Sequence, residues 1–398
     1  PGTGGQLRRR REDFQVEEVP LYPPCGEGEH VYFRVFKEGI STFEAVRRIA
    51  EALEVPEREV AYAGLKDARA VTSQWMSVQG VDEERVRALE VRGLAVGEVA
   101  RHGNKLRVGH LRGNRFKIRV RGAAAGAAPR AHAILDLLVR RGAPNYFGEQ
   151  RFGIRADSWA CGEAIVRRDH DAFVKRLLGG PSNHERDPRL REARKAFEEG
   201  KLEEAYAAMP TRLRSEKKAL HALIRFGDPE RAYFSIPMRM RQMFVSAFQS
   251  YLFNKVLERR VAGLDRVEEG DLAYLHRNGA VFPVTDAPLE QPRCLAFEIS
   301  PSGPLFGTTA PLAGGAPGGM EREVLAEFGL SAGDFEVGGG LRVAGMRRAL
   351  RIPLKEVSIE EEGGSDYRVE FLLPPGAFAT VVMAELMQNP EETVADGP

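Results

Sequence analysis

Residues 64–75 read Gly-Leu-Lys-Asp-Ala-Arg-Ala-Val-Thr-Ser-Gln-Trp, a loop that begins at a glycine and runs into a strand. Its acidic residue, Asp67, stands between two cations. An aspartate in such a loop most often bonds nearby backbone groups, because its short carboxylate suits turns. A catalytic use of Asp67 therefore depends on what the rest of the chain supplies around it.

A second compact stretch, residues 145–153, reads Asn-Tyr-Phe-Gly-Glu-Gln-Arg-Phe-Gly. Its three aromatic residues would usually belong to a core. An aromatic face beside amide and guanidinium donors is also what stacking and edge reading of an unstacked base require. The stretch therefore has two interpretations, a piece of core or a base-binding site.

Composition limits the class of protein. The chain has 398 residues, which favours two or three domains. With 43% apolar and 29% charged residues and no apolar run of about 18 residues, it is predicted to be globular and to have no membrane span. The start, Pro1-Gly-Thr-Gly-Gly, lacks the pattern of a secretory signal, so we expect a cytoplasmic protein.

Motifs for the commoner cofactors and nucleophiles are missing. The three cysteines, Cys25, Cys161 and Cys294, are more than a hundred residues apart, which disfavours a zinc site and disulfides. The sequence has no GxxxxGK[ST] or HExxH motif, and its glycine clusters lack the GxGxxG spacing. Residues 329–333, Gly-Leu-Ser-Ala-Gly, fit the GxSxG pattern, but they follow the charged residues 321–327 and lack the preceding buried strand of a nucleophile elbow. Nucleotide hydrolysis, zinc proteolysis and serine hydrolysis are therefore disfavoured, and no metal is expected.

Charge is balanced overall but uneven along the chain. Lys and Arg total 58 against 57 Asp and Glu, so any site for a polyanion must be local. From Arg101 to Arg121 there are eight basic residues and no acidic one. Alternating apolar residues predict a hairpin turning at residues 112–115. It would present a basic surface for RNA, or a solvated face whose charges pair with acids elsewhere. The candidate RNA contacts are Lys105, Arg107, Arg112, Arg115 and Lys117.

Local patterns predict several further elements. The capping-box sequence at residues 41–44 predicts a helix that ends before Pro56. The glycine-rich residues 303–340 predict a flexible region dominated by loops. The other expected elements are strands at 30–36 and 74–78, a charged helical region at 155–225, a helix at 243–261 with core aromatics, a strand around Tyr367 and a closing helix from Ala379.

The two compact stretches carry a resemblance to a known family. GLKDxRAVTxQ at residues 64–74 and NYFGxQRFG at 145–153 resemble two motifs of the TruD family of pseudouridine synthases, in its archaeal-like form. Further similar segments occur in family order: Glu12-Asp-Phe14, Gly26-Glu-Gly-Glu-His30, Phe248-Gln-Ser-Tyr-Leu-Phe-Asn254, Arg347-Arg-Ala-Leu350 and residues 371–380. The resemblance thus spans nearly the whole chain.

The resemblance implies an α+β fold. Residues 1–155 together with 344–398 would form a pseudouridine-synthase catalytic domain with a mixed, mainly antiparallel sheet. Residues 156–343 would form an α/β insertion domain peculiar to TruD proteins. The composition agrees with this division, because it turns helical after Arg155 and glycine-rich before Leu341.

The resemblance also implies a function, the isomerisation of a uridine in tRNA to pseudouridine, usually at position 13. Asp67 matches the catalytic aspartate of the family and Phe147 the aromatic residue that packs against uracil. Where bacterial members have a lysine, this chain has Arg8, which keeps the charge but not the geometry. The remaining substrate-binding positions that match are Asn145, Phe14 and Glu18.

Such an isomerisation requires no cofactor, since nothing is oxidised, hydrolysed or transferred in. We expect a monomer that binds tRNA. We also expect a cation to keep Asp67 ionised, and Lys66, Arg69 and Arg347 are all candidates. The carboxylate could attack the ribose, add to the uracil ring or abstract a ribose proton, and the sequence leaves these three roles open.

Two other functions are compatible with parts of the sequence. A non-catalytic protein that binds or refolds RNA would explain the basic residues and the aromatics, but it gives Asp67 no task. A small-molecule α/β enzyme is disfavoured by the missing cofactor motifs.

Overall fold

The computed structural model describes residues 2–68 and 70–388. These residues divide into two compact units. The first unit contains the chain up to Ala143 and again from Ile352, and the second contains Pro144–Arg351. The sequence had suggested junctions at 155/156 and 343/344, so the second unit begins and ends outside the predicted insertion. Whether this unit is the TruD-specific domain stays a prediction.

The described chain contains both strands and helices. The strands are β1 Phe14–Pro20, β2 His30–Glu38, β3 Ala61–Tyr62, β4 Val71–Gln79, β5 Leu94–His102, β6 Leu111–Val120, β7 Ala143–Pro144, β8 Leu272–Leu275, β9 Val281–Pro283, β10 Ile299–Leu305, β11 Met346–Ala349, β12 Arg351–Ile352, β13 Lys355–Glu361 and β14 Tyr367–Leu373. The helices are α1 Thr42–Leu53, α2 Glu83–Arg87, α3 Ala127–Arg141, α4 Ser158–Val166, α5 His170–Leu178, α6 Pro188–Glu198, α7 Leu202–Ala208, α8 Arg214–Phe226, α9 Pro229–Ser235, α10 Met238–Arg260, α11 Ala287–Leu295, α12 Gly315–Glu327 and α13 Ala379–Met387.

An eight-stranded sheet forms the centre of the first unit, in the order β13-β14-β6-β1-β4-β2-β5, with β3 paired to β4. The pair β1 and β4 is parallel, and the other pairs of this sheet are antiparallel. The prediction of an α+β fold with a mixed, mainly antiparallel sheet is therefore confirmed. The parallel pair places the start of β1 beside the start of β4, since Gln15 pairs with Val71, and β4 follows the Asp67 loop.

The predicted hairpin between Arg101 and Arg121 is wrong. Residues 112–115 lie inside β6 and form no turn. The chain turns at residues 103–110, and β6 pairs with β1 and β14 instead of β5. The alternation of apolar residues identified the strand, but its partners lie far away in sequence, and a local pattern carries no information about them.

One side of the sheet is covered by helices. Helices α3 and α13 pack on apolar residues of β6 and β14, among them Ile118, Val369 and Phe371, all fully buried. Helix α1 packs on β2 and β4. It begins as predicted, because the Ser41 hydroxyl accepts a hydrogen bond from the Glu44 amide at 3.2 Å. These helices bury the apolar residues on one face of the sheet, while Tyr32 and Trp75 on the other face belong to a separate, smaller buried cluster.

The second unit is mainly helical, with a four-stranded sheet in the order β11-β10-β8-β9. The predicted long helix is present as α10, and Phe244, Phe248 and Leu252 lie in the core as expected. Tyr251 instead lies half-buried and stacks on Trp159 with centroids 4.0 Å apart.

The glycine-rich region is more ordered than its composition indicated. Residues 303–340 contain the end of β10 and all of α12, so the prediction of a region dominated by loops is wrong in this part. A Cβ atom at Gly318 would lie only 1.9 Å from the Ala313 carbonyl oxygen. Glycine at this position allows a close approach of the backbone, which need not mean flexibility.

Helices α4 and α10 make a close contact that tests this packing. A Cβ atom at Gly162 of α4 would lie 2.1 Å from the Phe244 carbonyl oxygen. Gly162→Ala should therefore lower the free energy of unfolding by ~1–3 kcal/mol, since α4 must move to fit a methyl group. Urea unfolding followed by circular dichroism measures the change.

Gly319→Ala is the matched control. Gly319 lies in α12, and nothing stands within 4 Å of an added Cβ atom. This substitution should leave stability unchanged or raise it by up to about 1 kcal/mol, because alanine favours helix. Equal losses at the two glycines would contradict the close packing of α4 on α10.

Candidate active site

Asp67 lies in the loop that joins β3 to β4 in the first unit. Its carboxylate forms an ion pair with the Arg8 guanidinium, with 3.0 Å between Oδ2 and Nη2. One third of the Asp67 side chain and 22% of the Arg8 side chain are exposed. The carboxylate is thus held by a cation while it stays accessible from outside.

Arg8 is itself held in a restricted geometry. Its backbone has a φ of 56°, a left-handed conformation that costs energy for a residue with a side chain. Its guanidinium lies 4.1 Å from the centre of the Phe14 ring, which is buried. The Phe14 ring therefore packs against the Arg8 guanidinium and restricts its orientation beside Asp67.

A buried ion pair fixes the loop that carries Asp67. The Lys66 ammonium contacts the Glu18 carboxylate at 2.5 Å, and both side chains are almost fully buried. The other Glu18 oxygen accepts a hydrogen bond from the Trp75 amide at 3.1 Å. The Lys66 amide donates to the Thr42 hydroxyl at 2.9 Å. Both Glu18 carboxylate oxygens thus have protein partners, and Glu18 contacts the Asp67 loop through Lys66.

The three cations proposed from sequence as partners of Asp67 have different positions. Lys66 pairs with Glu18. Arg347 belongs to the second unit and pairs with Glu321 at 2.8 Å. Arg69 lies outside the described residues. Arg8, which the sequence suggested as a substrate contact, is a cation that pairs with Asp67.

Lys37 is a further cation at this loop, and sequence reasoning missed it. It is 3% exposed, and its ammonium donates to the Ile40 carbonyl at 2.6 Å and to the Lys66 and Asp67 carbonyls at 3.5 Å. Burial lowers the pKa of Lys37 to about 8, although the negative charge of Asp67 opposes this shift. The one available signal was a lysine inside an apolar strand pattern.

Asn145 and Phe147 lie together in the second unit, directly after β7. The Asn254 side chain holds the Phe147 backbone at both ends, accepting from its amide and donating to its carbonyl, each at 2.9 Å. The buried Asn145 amide donates to the Ala349 carbonyl at 2.8 Å and accepts from the Arg348 guanidinium at 2.5 Å. Asn254 and Arg348 were not singled out from sequence, although both stand in segments that resemble the family.

Most of the predicted RNA-contacting residues form ion pairs in the first unit. This arrangement favours the alternative of a solvated face with paired charges. Arg107 differs, since it is exposed and forms no ion pair with any residue that the structure describes. The pairs are Lys105 with Glu59, Arg112 with Glu356, Arg115 with Glu17 and Glu356, and Lys117 with Glu370.

Within the described ranges, no group of three or more His, Cys, Asp or Glu side chains is arranged to hold a metal ion. In the same residues no helix has the length and apolar character needed to cross a membrane.

Lys37 gives the stability of the protein a pH dependence. The pKa of Lys37 is about 8 in the folded chain, against 10.5 for an ordinary lysine. Between these values the unfolded chain binds more protons, so the free energy of unfolding rises with pH, by up to ~3 kcal/mol. Lys37→Met should remove this rise in urea unfolding at about pH 7.5 and 10. Lys355→Met, at an exposed lysine, should keep it. An equal rise in the free energy of unfolding of both variants would contradict a lowered pKa of Lys37.

Comparison with known proteins shows the family of this chain. The family model of tRNA pseudouridine synthase D (TruD) matches residues 1–386. The tRNA pseudouridine synthases D of Geotalea daltonii and Geobacter sp. (strain M21) are 45% and 46% identical over 390 residues, 98% of this chain and of each relative. A crystal structure of a TruD protein from Methanosarcina mazei matches with a TM-score of 0.85 and 28% identity, over 98% of this chain and 94% of that chain. The chain belongs to the TruD family of tRNA pseudouridine synthases.

Proposed function

We propose that this chain converts a uridine of tRNA to pseudouridine and that Asp67 is its catalytic residue. Family membership supports the reaction. The observation that carries the role of Asp67 is its accessible carboxylate, paired with Arg8 on a loop that the buried Glu18–Lys66 ion pair fixes. We propose position 13 of tRNA as the target, as the family resemblance implies.

The reaction needs only groups that the chain itself contains. The bond between N1 of uracil and C1′ of ribose breaks, the base turns, and C5 bonds to the same carbon. C5 loses a proton and N1 gains one, so the product is an isomer and no electrons enter or leave. A single ionised carboxylate can serve as nucleophile or base in such a sequence. We therefore propose that the enzyme uses no cofactor.

Arg8 gives the proposed catalytic carboxylate its direction. Its guanidinium lies 3.0 Å from the Asp67 carboxylate. Because the Arg8 guanidinium packs on the Phe14 ring, its movement relative to the Asp67 carboxylate is restricted. We propose that Arg8 and Phe14 orient Asp67, and that Glu18 acts indirectly through Lys66.

Phe147 is proposed to hold the detached uracil by stacking, so that the base rotates instead of escaping. The ring is half-buried and its backbone is fixed by Asn254, which suits a rigid platform. A paired uridine must first leave its stack, at a cost of a few kcal/mol. Contacts to the RNA backbone can offset that cost.

We propose that the stretch from Lys105 to Lys117 supplies part of these backbone contacts. Arg107 is the strongest candidate because it is exposed and, among the described residues, has no carboxylate partner. The paired residues, such as Arg112, would have to exchange a carboxylate for a phosphate. Their net gain on binding RNA should be smaller.

We propose a cytoplasmic location, where tRNA is available. The cysteines are consistent with a reducing compartment, since all three are free thiols in the structure. The monomeric state expected from the sequence stays a prediction.

Asp67→Asn separates the enzyme from a non-catalytic RNA-binding protein. It keeps the size of the side chain and removes its charge, so tRNA binding should persist while the rate of product formation falls by ~10³-fold or more. Incubation with tRNA transcripts and mapping of pseudouridine measures both the rate and the position. Asp82→Asn, at an exposed carboxylate outside the site loop, should leave the rate unchanged.

Either of two results would contradict the proposed function. Pseudouridine formation by Asp67→Asn at the wild-type rate would remove Asp67 from catalysis. RNA remodelling by the wild-type chain without any pseudouridine would favour the non-catalytic alternative.

The RNA surface is tested by the salt dependence of tRNA binding. Arg107→Ala should reduce the slope of log affinity against log salt by about 0.7–0.9, as expected for one lost phosphate contact. Arg112→Ala should change it less, because Glu356 lies 3.3 Å from the guanidinium. Filter binding between about 50 and 200 mM salt gives both slopes. A flat response of the wild-type chain would exclude the whole stretch from the RNA surface.

A further inference from the structure

Arg348 places a positive charge against one face of Phe147. The centre of its guanidinium lies 4.3 Å from the centroid of the Phe147 ring. It also lies 5.7 Å from the ring centroid of Phe253, which meets Phe147 edge-on. Burial lowers the pKa of Arg348 to about 10, so the guanidinium stays charged at neutral pH.

Two asparagines fix the positions of the Arg348 guanidinium and of Phe147. Asn145 binds the Arg348 guanidinium through its oxygen and the Ala349 carbonyl through its nitrogen. Asn254 holds the Phe147 backbone from both sides. Both asparagine side chains already form hydrogen bonds to protein groups. Asn145 is therefore better suited to positioning Arg348 than to reading a base edge.

A cation behind an aromatic ring has a specific electrostatic effect. It faces the negative π surface of the ring, and its field continues through to the other side. A base stacked on that other side would lie at ~8 Å from the guanidinium. At an effective dielectric constant of about 20 this separation still gives an attraction equivalent to a rate factor of about 30, or about 2 kcal/mol.

We propose that Arg348 positions a positive charge behind Phe147 to stabilise the negative charge that develops on uracil during the isomerisation. This inference rests on the proposed stacking of uracil on Phe147. Arg348 acts through the ring and need not touch the base. Arg348 is therefore a positioning residue, and the Asn145 side chain holds the Arg348 guanidinium in place.

The charge develops whichever role the aspartate has. When the N1–C1′ bond breaks, its electron pair stays on the uracil ring and spreads over the two carbonyl oxygens. If the carboxylate adds to the ring first, the displaced π electrons also move to the ring carbonyl. When C5 then bonds to C1′, that electron density forms the new bond, the C5 proton leaves and N1 is protonated. Any bond that the carboxylate formed to the ring or to C1′ breaks again and its electron pair returns to the carboxylate, or a proton taken from the ribose is given back. A cation near the ring lowers the energy of the charged stage in each case.

The test measures single-turnover rate and tRNA affinity separately in the full chain. Arg348→Gln should lower the rate by about 30-fold with less than about a threefold change in dissociation constant. Arg348→Lys keeps the charge and should recover part of the rate. Arg342→Gln, at an exposed arginine nearby in sequence, is the matched control and should behave as wild type.

Leaving-group chemistry distinguishes an electrostatic role from a structural one. In tRNA with 5-fluorouridine at the target, fluorine itself stabilises the ring anion. The rate penalty of Arg348→Gln, measured as disappearance of the unrearranged nucleotide, should therefore be smaller than with uridine. Thermal unfolding of each variant reports whether the second unit stays intact.

The outcomes separate this inference from the function it rests on. No pseudouridine from the wild-type chain would overturn both. Product from the wild-type chain with an unchanged Arg348→Gln rate would overturn only the role of Arg348. Equal penalties on the two nucleotides, or a loss confined to affinity or stability, would assign Arg348 a structural role and also overturn it.

Discussion

The buried ion pair between Glu18 and Lys66 is the interaction on which the candidate site depends. Burial raises the pKa of the Glu18 carboxyl, while the Lys66 ammonium and the Trp75 amide oppose that shift. Removing one partner would leave the other charge buried, at a cost of ~3–5 kcal/mol. The pair therefore ties β1 to the loop before β4, and the position of Asp67 follows from this tie.

The electrostatics of the loop differ from those of the chain as a whole. The net charge of the sequence is +1, which offers a polyanion no general attraction. Around the loop, however, Arg8 pairs with the Asp67 carboxylate and Lys66 pairs with the Glu18 carboxylate. The Lys37 ammonium adds a third positive charge, at the backbone carbonyls of residues 66 and 67. A local positive excess of this kind favours the approach of a phosphate backbone. Balanced composition is thus compatible with a site for RNA.

The sequence predicted those parts of the fold that local patterns determine. Helix α1 begins at its Ser41 cap and α10 buries Phe244 and Phe248, because both features repeat within a few residues. The hairpin failed because β6 takes its hydrogen bonds from β1 and β14, and such pairing depends on the whole sheet. Helix α12 was not predicted because glycine has a low helix propensity. In the structure, Gly318 is instead required by a close approach of the backbone.

In the candidate site, too, the sequence did not predict which side chains contact each other. The family motifs identified Asp67 and Phe147 but not the side chains that hold them. Lys66 was the nearest cation in sequence to Asp67, yet it turns inward to Glu18 and Arg8 approaches from another segment.

Arg347 and Arg348 divide their roles in the same way. They are consecutive on β11, so their side chains point to opposite sides of the strand. Arg347 reaches Glu321, a structural ion pair, whereas Arg348 reaches Asn145 and the Phe147 ring. Two like charges side by side in a motif thus serve different purposes, and only the direction of the backbone decides which one faces the proposed base platform.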